Sequence, residues 1–154
     1  MSLPKCLGGH IEDIDSLVKE MECLEEVSDD VKVVRTVTTS MAMGLISSRE
    51  LIDLVYIKRF PDNDKKAAVV VKGVDHDLPV APKLVRGKHF VTGLIMEVVK
   101  LGDKDVLEIK HIEELDFSGN VPSKVIESFI PSELMGRGST LKKNHKKLEK
   151  IRAK

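Results

Sequence analysis

The apolar and polar positions between residues 31 and 60 form two alternating runs that are joined by an apolar connection. The runs at 31–39 and 50–60 are rich in β-branched residues and alternate with a period of two, which predicts two β-strands. The connection between them includes MAMGLI at 41–46, whereas connections between strands are usually polar. This exception predicts that the connection forms the rim of a cavity.

The second run has two largely apolar faces. Leu51, Asp53 and Val55 share one face, and Ile52 and Leu54 share the other. A strand that is apolar on both faces is expected to be covered on both, which leaves Asp53 as a polar group among apolar neighbours. We therefore expect Asp53 to have a polar partner.

Further along the chain, the pattern predicts consecutive hairpins and one terminal helix. Pro122 follows DFSGN and suits the first turn of a helix, whereas Gly136 and Gly138 are expected to break it. A short amphipathic helix or an irregular helical turn is also predicted at 11–24, where apolar residues recur at helical spacing. Further strands are expected at 67–74, 83–99 and 106–115, with bulges or bends at Gly87 and Gly93.

Composition narrows the class of protein. A chain of 154 residues with 42% hydrophobic and 32% charged residues is typical of one soluble globular domain, and its 3% aromatic content means that cavity walls must be aliphatic and rich in methionine. Cys6 and Cys23 have no paired spacing, which favours a reducing compartment, and no apolar run reaches the ~20 residues of a membrane span.

The formal net charge is zero, but the charges are unevenly distributed. Residues 12–30 are acidic and residues 142–154 are basic. Such a basic terminus could contact an anionic membrane or nucleic acid, or it could form the solvated end of a helix.

Two groups of residues could support catalysis or metal binding. His76 lies between two aspartates, and His111 precedes Glu113 and Glu114. Neither group belongs to a metal-binding spacing, a nucleophile elbow or a glycine-rich phosphate loop. The sequence therefore predicts no catalytic residue, no metal site and no cofactor.

Three motifs in a fixed order carry a family resemblance. They are GLISSRELIDLVYIKR at 44–59, PKLVRG at 82–87 and LDFSGNVPSKVIESFIP at 115–131. Together they resemble the START (StAR-related lipid-transfer) domains, especially the small soluble members that carry sterols or bile acids, from about Ile14 to Leu141. The resemblance implies an α+β helix-grip fold, in which a curved antiparallel sheet packs on a long C-terminal helix. A tunnel between them would hold one lipid.

The matched part begins inside the family pattern. The family has an N-terminal helix, its first strands and connecting helices ahead of this part, whereas this chain has a short leader at 1–10. We expect an N-terminally truncated START-like domain at 11–141 and a basic C-terminal helix end at 142–154. The missing strands normally complete the sheet, so an open sheet edge is expected. The chain could then be a truncated isoform without lipid-carrier activity, or a partial gene model.

The resemblance implies a lipid site between the apolar connection and the terminal helix, which would open together as a gate. Met43 is favoured for ligand contact because methionine adapts to different apolar shapes, although the same residues could instead form the core. Arg49 is expected to form a structural ion pair rather than a ligand clamp. Cholesterol-carrying relatives have a basic residue where this chain has Val55, so their charged anchor cannot be transferred. The predicted lipid-binding residues are Met41, Met43, Leu45, Ile46, Arg49, Asp53, Val55, Arg86, His89, His111, Ile126, Phe129, Ile130 and Leu134.

The predicted function is non-catalytic lipid binding and transfer in the cytoplasm, with a sterol, a bile acid or a phospholipid as the ligand. Peripheral contact with an anionic membrane through 142–154 is compatible with this function, and no nucleic-acid partner is expected. The alternative is a protein-interaction or dimerisation module that uses the open sheet edge. The sequence leaves the oligomeric state open.

Overall fold

The computed structural model describes residues 17–133 and 135–136. The architecture is α+β, a curved antiparallel sheet followed by a C-terminal helix, which confirms the helix-grip prediction. A short 3-10 turn at Ala42–Gly44 lies within the apolar connection. The elements are β1 (Val18–Glu26), β2 (Val31–Thr38), β3 (Arg49–Arg59), β4 (Lys66–Gly73), β5 (Val85–Arg86), β6 (Lys88–His89), β7 (Thr92–Leu101), β8 (Lys104–Ile112), β9 (Leu115–Asp116) and α1 (123–133 and 135–136).

The main sheet has its six long strands in the order β1-β2-β3-β4-β7-β8, and neighbouring strands are antiparallel. Residues directly opposite each other share a face. Leu51 is opposite Thr36, and Val55 is opposite Val71, so these side chains form one face with Asp53. We call this face, which lies toward α1, the inner face, and the opposite one the outer face.

The helix packs on the inner face through a small core cluster. Met41, Ile46 and Phe117 are 5%, 0% and 5% exposed and form its centre. Helix α1 contributes an apolar stripe at helical spacing, as its sequence pattern predicts. The stripe residues that pack on the cluster are Val125, Ile126, Phe129 and Ile130.

The helix predicted at 11–24 is wrong over its described part, because residues 18–24 belong to β1. The register shifts between Val18 and Glu20, so that Val18 is opposite Thr38 and Met21 is opposite Thr36. Such a bulge places two residues three positions apart on the same face of a strand. The spacing of apolar residues in β1 therefore resembles that of an amphipathic helix. Residues 11–16 lie outside the described part of the chain.

The long strand predicted at 83–99 is also wrong, since the chain forms β5, β6 and β7 there. Gly87 lies at the break between β5, which runs parallel to β3, and β6, which pairs with β9. Gly93 lies within β7, opposite Val70 and Ile112, without a shift in register. Only the expected bend at Gly87 is present.

A buried ion cluster stabilises the outer face. Glu50 is fully buried, and its two oxygens accept hydrogen bonds from Arg35 Nε at 2.6 Å and from Arg86 Nη2 at 2.7 Å. Burial raises the pKa of Glu50, but the two arginines outweigh this effect and leave its pKa below the ordinary value. Arg86, a predicted lipid-binding residue, therefore pairs with Glu50 on the side of the sheet away from α1.

We predict that Glu50→Gln lowers the free energy of unfolding by about 3 kcal/mol, because it removes the one buried carboxylate that both guanidinium groups contact. Urea unfolding at pH 7 measures the loss. Glu97→Gln is the matched control, since Glu97 pairs with Lys66 on a half-exposed surface and is expected to contribute less than ~1 kcal/mol. Equal losses in the two variants would contradict the assignment.

Candidate functional site

A cavity of about 660 Å³ lies between the inner face of the sheet and α1. Leu51 and Val71 line it from the sheet, Phe117 lines it from the segment that leads into α1, and Ile126 and Phe129 line it from the helix. These walls are aliphatic and aromatic, so the cavity suits an apolar ligand.

The connection at 41–46 has a buried base and an exposed tip. Met41 and Ile46 pair through main-chain hydrogen bonds of 2.8 and 3.1 Å and are both buried. Met43 and Leu45 are 101% and 64% exposed. Ala42, Met43 and Gly44 have φ values of 51°, 56° and 89°, so the chain reverses through three left-handed residues.

A second, more open groove of about 600 Å³ lies between this connection and α1. Met43 and Leu45 line one side of the groove, and Val125 lines the other. Four residues line both the groove and the cavity, namely Leu17, Met41, Phe129 and Glu133. These four residues therefore lie between the cavity and the outer groove.

The structure separates the predicted lipid-binding residues into four sets. The cavity is lined by Met41, Arg49, His89, His111, Ile126, Phe129 and Ile130, and the groove but not the cavity is lined by Met43 and Leu45. The residues that line neither are Ile46, Asp53, Val55 and Arg86. Leu134 lies outside the described residues.

Arg49 is buried but does not form the predicted ion pair. It donates from Nε to the Phe117 carbonyl at 2.6 Å, from Nη1 to the Ser47 carbonyl at 2.6 Å and from Nη2 to the Ser118 carbonyl at 3.2 Å. Within the described residues no carboxylate pairs with it. Main-chain carbonyls replace the expected partner because the segment after β9 passes directly over the start of β3.

The polar wall of the cavity is organised around His89. Its Nδ1 lies 3.0 and 3.1 Å from the two carboxylate oxygens of Asp53, which is buried. Gly73 is opposite Asp53, and a Cβ at this glycine would lie 2.6 Å from the main-chain oxygen of His89. Only a residue without a side chain lets β6 approach β4 this closely. Asp53 thereby obtains the polar partner that its position requires.

A second carboxylate lies on the other side of the His89 ring. Glu113 Oε1 is 3.9 Å from His89 Nε2, and Glu113 Oε2 is 4.0 Å from His111 Nε2. Burial lowers the pKa of His89, but Asp53 and Glu113 outweigh burial and raise the pKa to about 9. His89 is therefore an imidazolium at neutral pH, with both ring nitrogens acting as donors.

Comparison with known proteins decides the family. A sequence model of the START domain matches residues 15–151. The chain belongs to the START domain family. This confirms the resemblance that the three sequence motifs indicate.

This START domain is similar to part of several lipid-transfer proteins. It is 33% identical over 121 residues to StAR-related lipid transfer protein 5 of Mus musculus, covering 78% of this chain and 55% of the relative. It is 29% identical over 125 residues to StAR-related lipid transfer protein 6 of Homo sapiens, covering 79% of this chain and 54% of the relative. The chain thus spans a little over half the length of these curated relatives.

Solved structures show the same fold. Human StAR-related lipid transfer protein 5 has a TM-score of 0.80 and 30% identity, and the match covers 90% of this chain and 65% of that one. Human STARD10 has a TM-score of 0.73 at 19% identity, covering 94% of this chain and 57% of that one. No helix within the described residues is long and apolar enough to cross a membrane. The same residues contain no group of three or more His, Cys, Asp or Glu side chains placed so that it could hold a metal ion.

Sequence reasoning missed two polar residues of the inner face. Thr92 is 8% exposed and lines the cavity of this START domain. Lys32 is 2% exposed and lies opposite Val55, but its Nζ donates to Glu26 at 2.9 Å, which raises the pKa of the lysine. The strand alternation that places Lys32 beside Val34 and Thr36 is the signal that could have identified it.

We predict that the free energy of unfolding falls by roughly 2–3 kcal/mol as pH rises from 6.5 to about 9. The pKa of His89 is higher in the folded chain, so its protonation stabilises the fold below pH 6.5, and this stability is lost as pH passes through about 9. Urea unfolding across this range measures the slope. His89→Gln should flatten the slope, whereas His76→Gln, on the exposed 75–84 loop, should preserve it. An unchanged slope in His89→Gln would refute the assignment.

Proposed function

We propose that this START domain binds one lipid of the sterol type in the cavity beneath α1 and transfers it between membranes. The cavity is the observation that carries the proposal, because its volume of about 660 Å³ lies within the range of small-molecule sites and its walls are largely apolar. The relatives named above as lipid transfer proteins add support through their common family. As proposed, the protein acts in the cytoplasm without covalent chemistry.

The energetics of such a cavity suit reversible carriage. Removal of ~300 Å² of apolar ligand surface from water at ~25 cal/mol/Å² would contribute about 7.5 kcal/mol. The loss of translational and rotational freedom opposes this gain. The remaining affinity is moderate, which a carrier requires because it must also release its ligand.

We assign the gate to the 41–46 connection and α1. Met41 and Phe129 line both the cavity and the outer groove together with Leu17 and Glu133, so a displacement of these side chains would join the two spaces. Met43 and Leu45 present exposed apolar side chains at the tip, and an apolar bilayer is a favourable environment for them. The basic residues at 142–154, which lie outside the described residues, would add attraction to anionic lipids.

We predict that Phe129→Asp weakens binding of the fluorescent sterol dehydroergosterol at least tenfold, because a carboxylate in the cavity wall would be desolvated by the ligand. Titration of the sterol with the purified full chain, followed by fluorescence, measures the affinity. Ser132→Asp adds the same charge at an exposed position of α1 and should bind as the wild type does. Circular dichroism verifies that both variants are folded. Undiminished binding by a folded Phe129→Asp variant would contradict the proposed cavity.

A second candidate function is self-association through β8, the last strand of the sheet. All nine residues of β8 are exposed, and β7 is its only strand neighbour within the described residues. Val106, Leu107, Ile109 and Ile112 are 38%, 52%, 37% and 74% exposed. A long, exposed and apolar edge strand favours pairing with another strand.

The sequence of β8 is complementary to itself in one antiparallel register. If Ile109 lies on a two-fold axis, Val106 meets Ile112 and Glu108 meets Lys110 of the second copy, each twice. Leu101 and Lys104 close the β7–β8 hairpin as a hydrogen-bonded pair, so alternation leaves the outward main-chain groups at the odd-numbered residues of β8. In the register with Ile109 on the axis, odd-numbered residues of one copy lie opposite odd-numbered residues of the other, so these outward main-chain groups can form hydrogen bonds. We infer that a second copy of this chain is the partner that best fits this edge.

We predict a dimer of twice the 17.1 kDa chain mass in size-exclusion chromatography with light scattering. Glu108→Lys should shift the protein toward the monomer, because two pairs of like charges would then face each other. The double variant Glu108→Lys with Lys110→Glu restores opposite charges and should restore the dimer. A monomeric wild type, or a double variant as monomeric as the single one, would reject this register.

A further inference from the structure

The hydroxyl of Thr92 is buried without a hydrogen-bond partner among the described residues. The residue is 8% exposed and its side chain lines the cavity rather than the packed core. Proteins rarely leave a buried polar group unpaired, because desolvation of that group costs free energy. An unpaired hydroxyl on the wall of a cavity indicates a partner that enters the cavity.

Charged and polar groups surround Thr92. Gly93 pairs with Ile112, so Thr92 and Glu113 are the next residues along the two neighbouring strands. His89 precedes Thr92 by three residues, and its Nε2 lies 3.9 Å from Glu113 Oε1. Thr92, His89 and Glu113 all line the same cavity. Two donors and one carboxylate acceptor therefore converge on one part of its wall.

We propose that Thr92, His89 and Glu113 form a subsite for a hydroxyl group of a neutral lipid. The proposal rests on the lipid-binding function proposed above and adds the chemistry of the polar group. A hydroxyl donates one hydrogen bond and accepts others, so it can donate to Glu113 while it accepts from Thr92 or His89. A carboxylate has room for further hydrogen bonds, since it offers about four lone-pair sites.

The charges near Thr92 disfavour an anionic ligand group. The ring of His89 already lies between two carboxylates, those of Asp53 and Glu113, and His111 Nε2 lies 4.0 Å from Glu113 Oε2. A lipid carboxylate or phosphate there would only accept hydrogen bonds and would be repelled by both carboxylates. The neutral hydroxyl is the group that matches this set of donors and acceptors.

Arg49, the other cation of the cavity wall, lies away from this subsite. Thr92 is opposite Val71, which is opposite Val55, and Val55 follows Arg49 by six residues along β3. Six residues of strand span about 20 Å. The guanidinium of Arg49 also donates to three carbonyl groups. Arg49 therefore does not provide a cation that could bind an anionic ligand group beside Thr92.

The test compares dehydroergosterol with its 3-deoxy analogue, which lacks only the hydroxyl group. We expect the wild-type chain to bind the hydroxylated sterol about tenfold more tightly, which corresponds to ~1.4 kcal/mol. Thr92→Val should reduce this preference to within about twofold, whereas Thr92→Ser should retain it. Because Thr92→Val removes a hydroxyl that has no partner within residues 17–133 and 135–136, its melting temperature should be no lower than that of the wild type.

Each outcome separates the subsite from the lipid-binding function. If the wild type binds neither sterol, the proposed function fails. If it binds both equally, or if Thr92→Val keeps the full preference, the subsite is wrong and lipid binding stands. A melting temperature several degrees lower in Thr92→Val would assign the hydroxyl a structural role and would also overturn the subsite.

Discussion

The hydrogen bonds of Arg49 join the three segments around the cavity. Its buried guanidinium holds the end of the 41–46 connection through Ser47 and the entry to α1 through Phe117 and Ser118, while its own main chain begins β3. Burial of a guanidinium is costly unless its donors are satisfied. Main-chain acceptors satisfy it here only when all three segments are in place, so the order of the cavity walls depends on this one side chain.

Strand alternation separates two charged clusters across β3. Glu50 lies on the outer face with Arg35 and Arg86, whereas Asp53, three residues later, lies on the inner face with His89. In the outer cluster Glu50 is shared by two arginines, and Arg35 also lies 3.7 and 3.8 Å from the carboxylates of Glu20 and Glu22. The inner cluster borders the cavity and includes polar atoms that can meet a ligand. The same alternation therefore places one cluster within the packed sheet and the other at the wall of the cavity.

Local pattern was sufficient where the pairing of strands is regular. The two strands between residues 31 and 60, the polar partner of Asp53 and the helix after Pro122 could all be predicted, because each depends on periodicity or on a residue type with a fixed backbone preference. Bulges in β1 changed the period and led to a false helix. The apolar spacing in this segment was real, but it arose from a bulged strand and not from a helix.

Contacts between segments that are distant in sequence could not be predicted from the local pattern of apolar and polar residues. The close approach at Gly73 that divides 83–99 into three strands and brings His89 to Asp53 involves segments distant in sequence. The pairing of Arg86 with Glu50 likewise depends on β5 lying beside β3. Thr92 could not be selected from sequence, because its distinguishing property is a hydroxyl that has no hydrogen-bond partner among the described residues.

The backbone of the 41–46 connection is strained at two residues that are not glycine. Ala42 and Met43 adopt left-handed torsions that cost roughly 1–2 kcal/mol each, and neither lines the cavity. In the proposed gate, relaxation of these torsions on opening would offset part of the free energy needed to release the lipid.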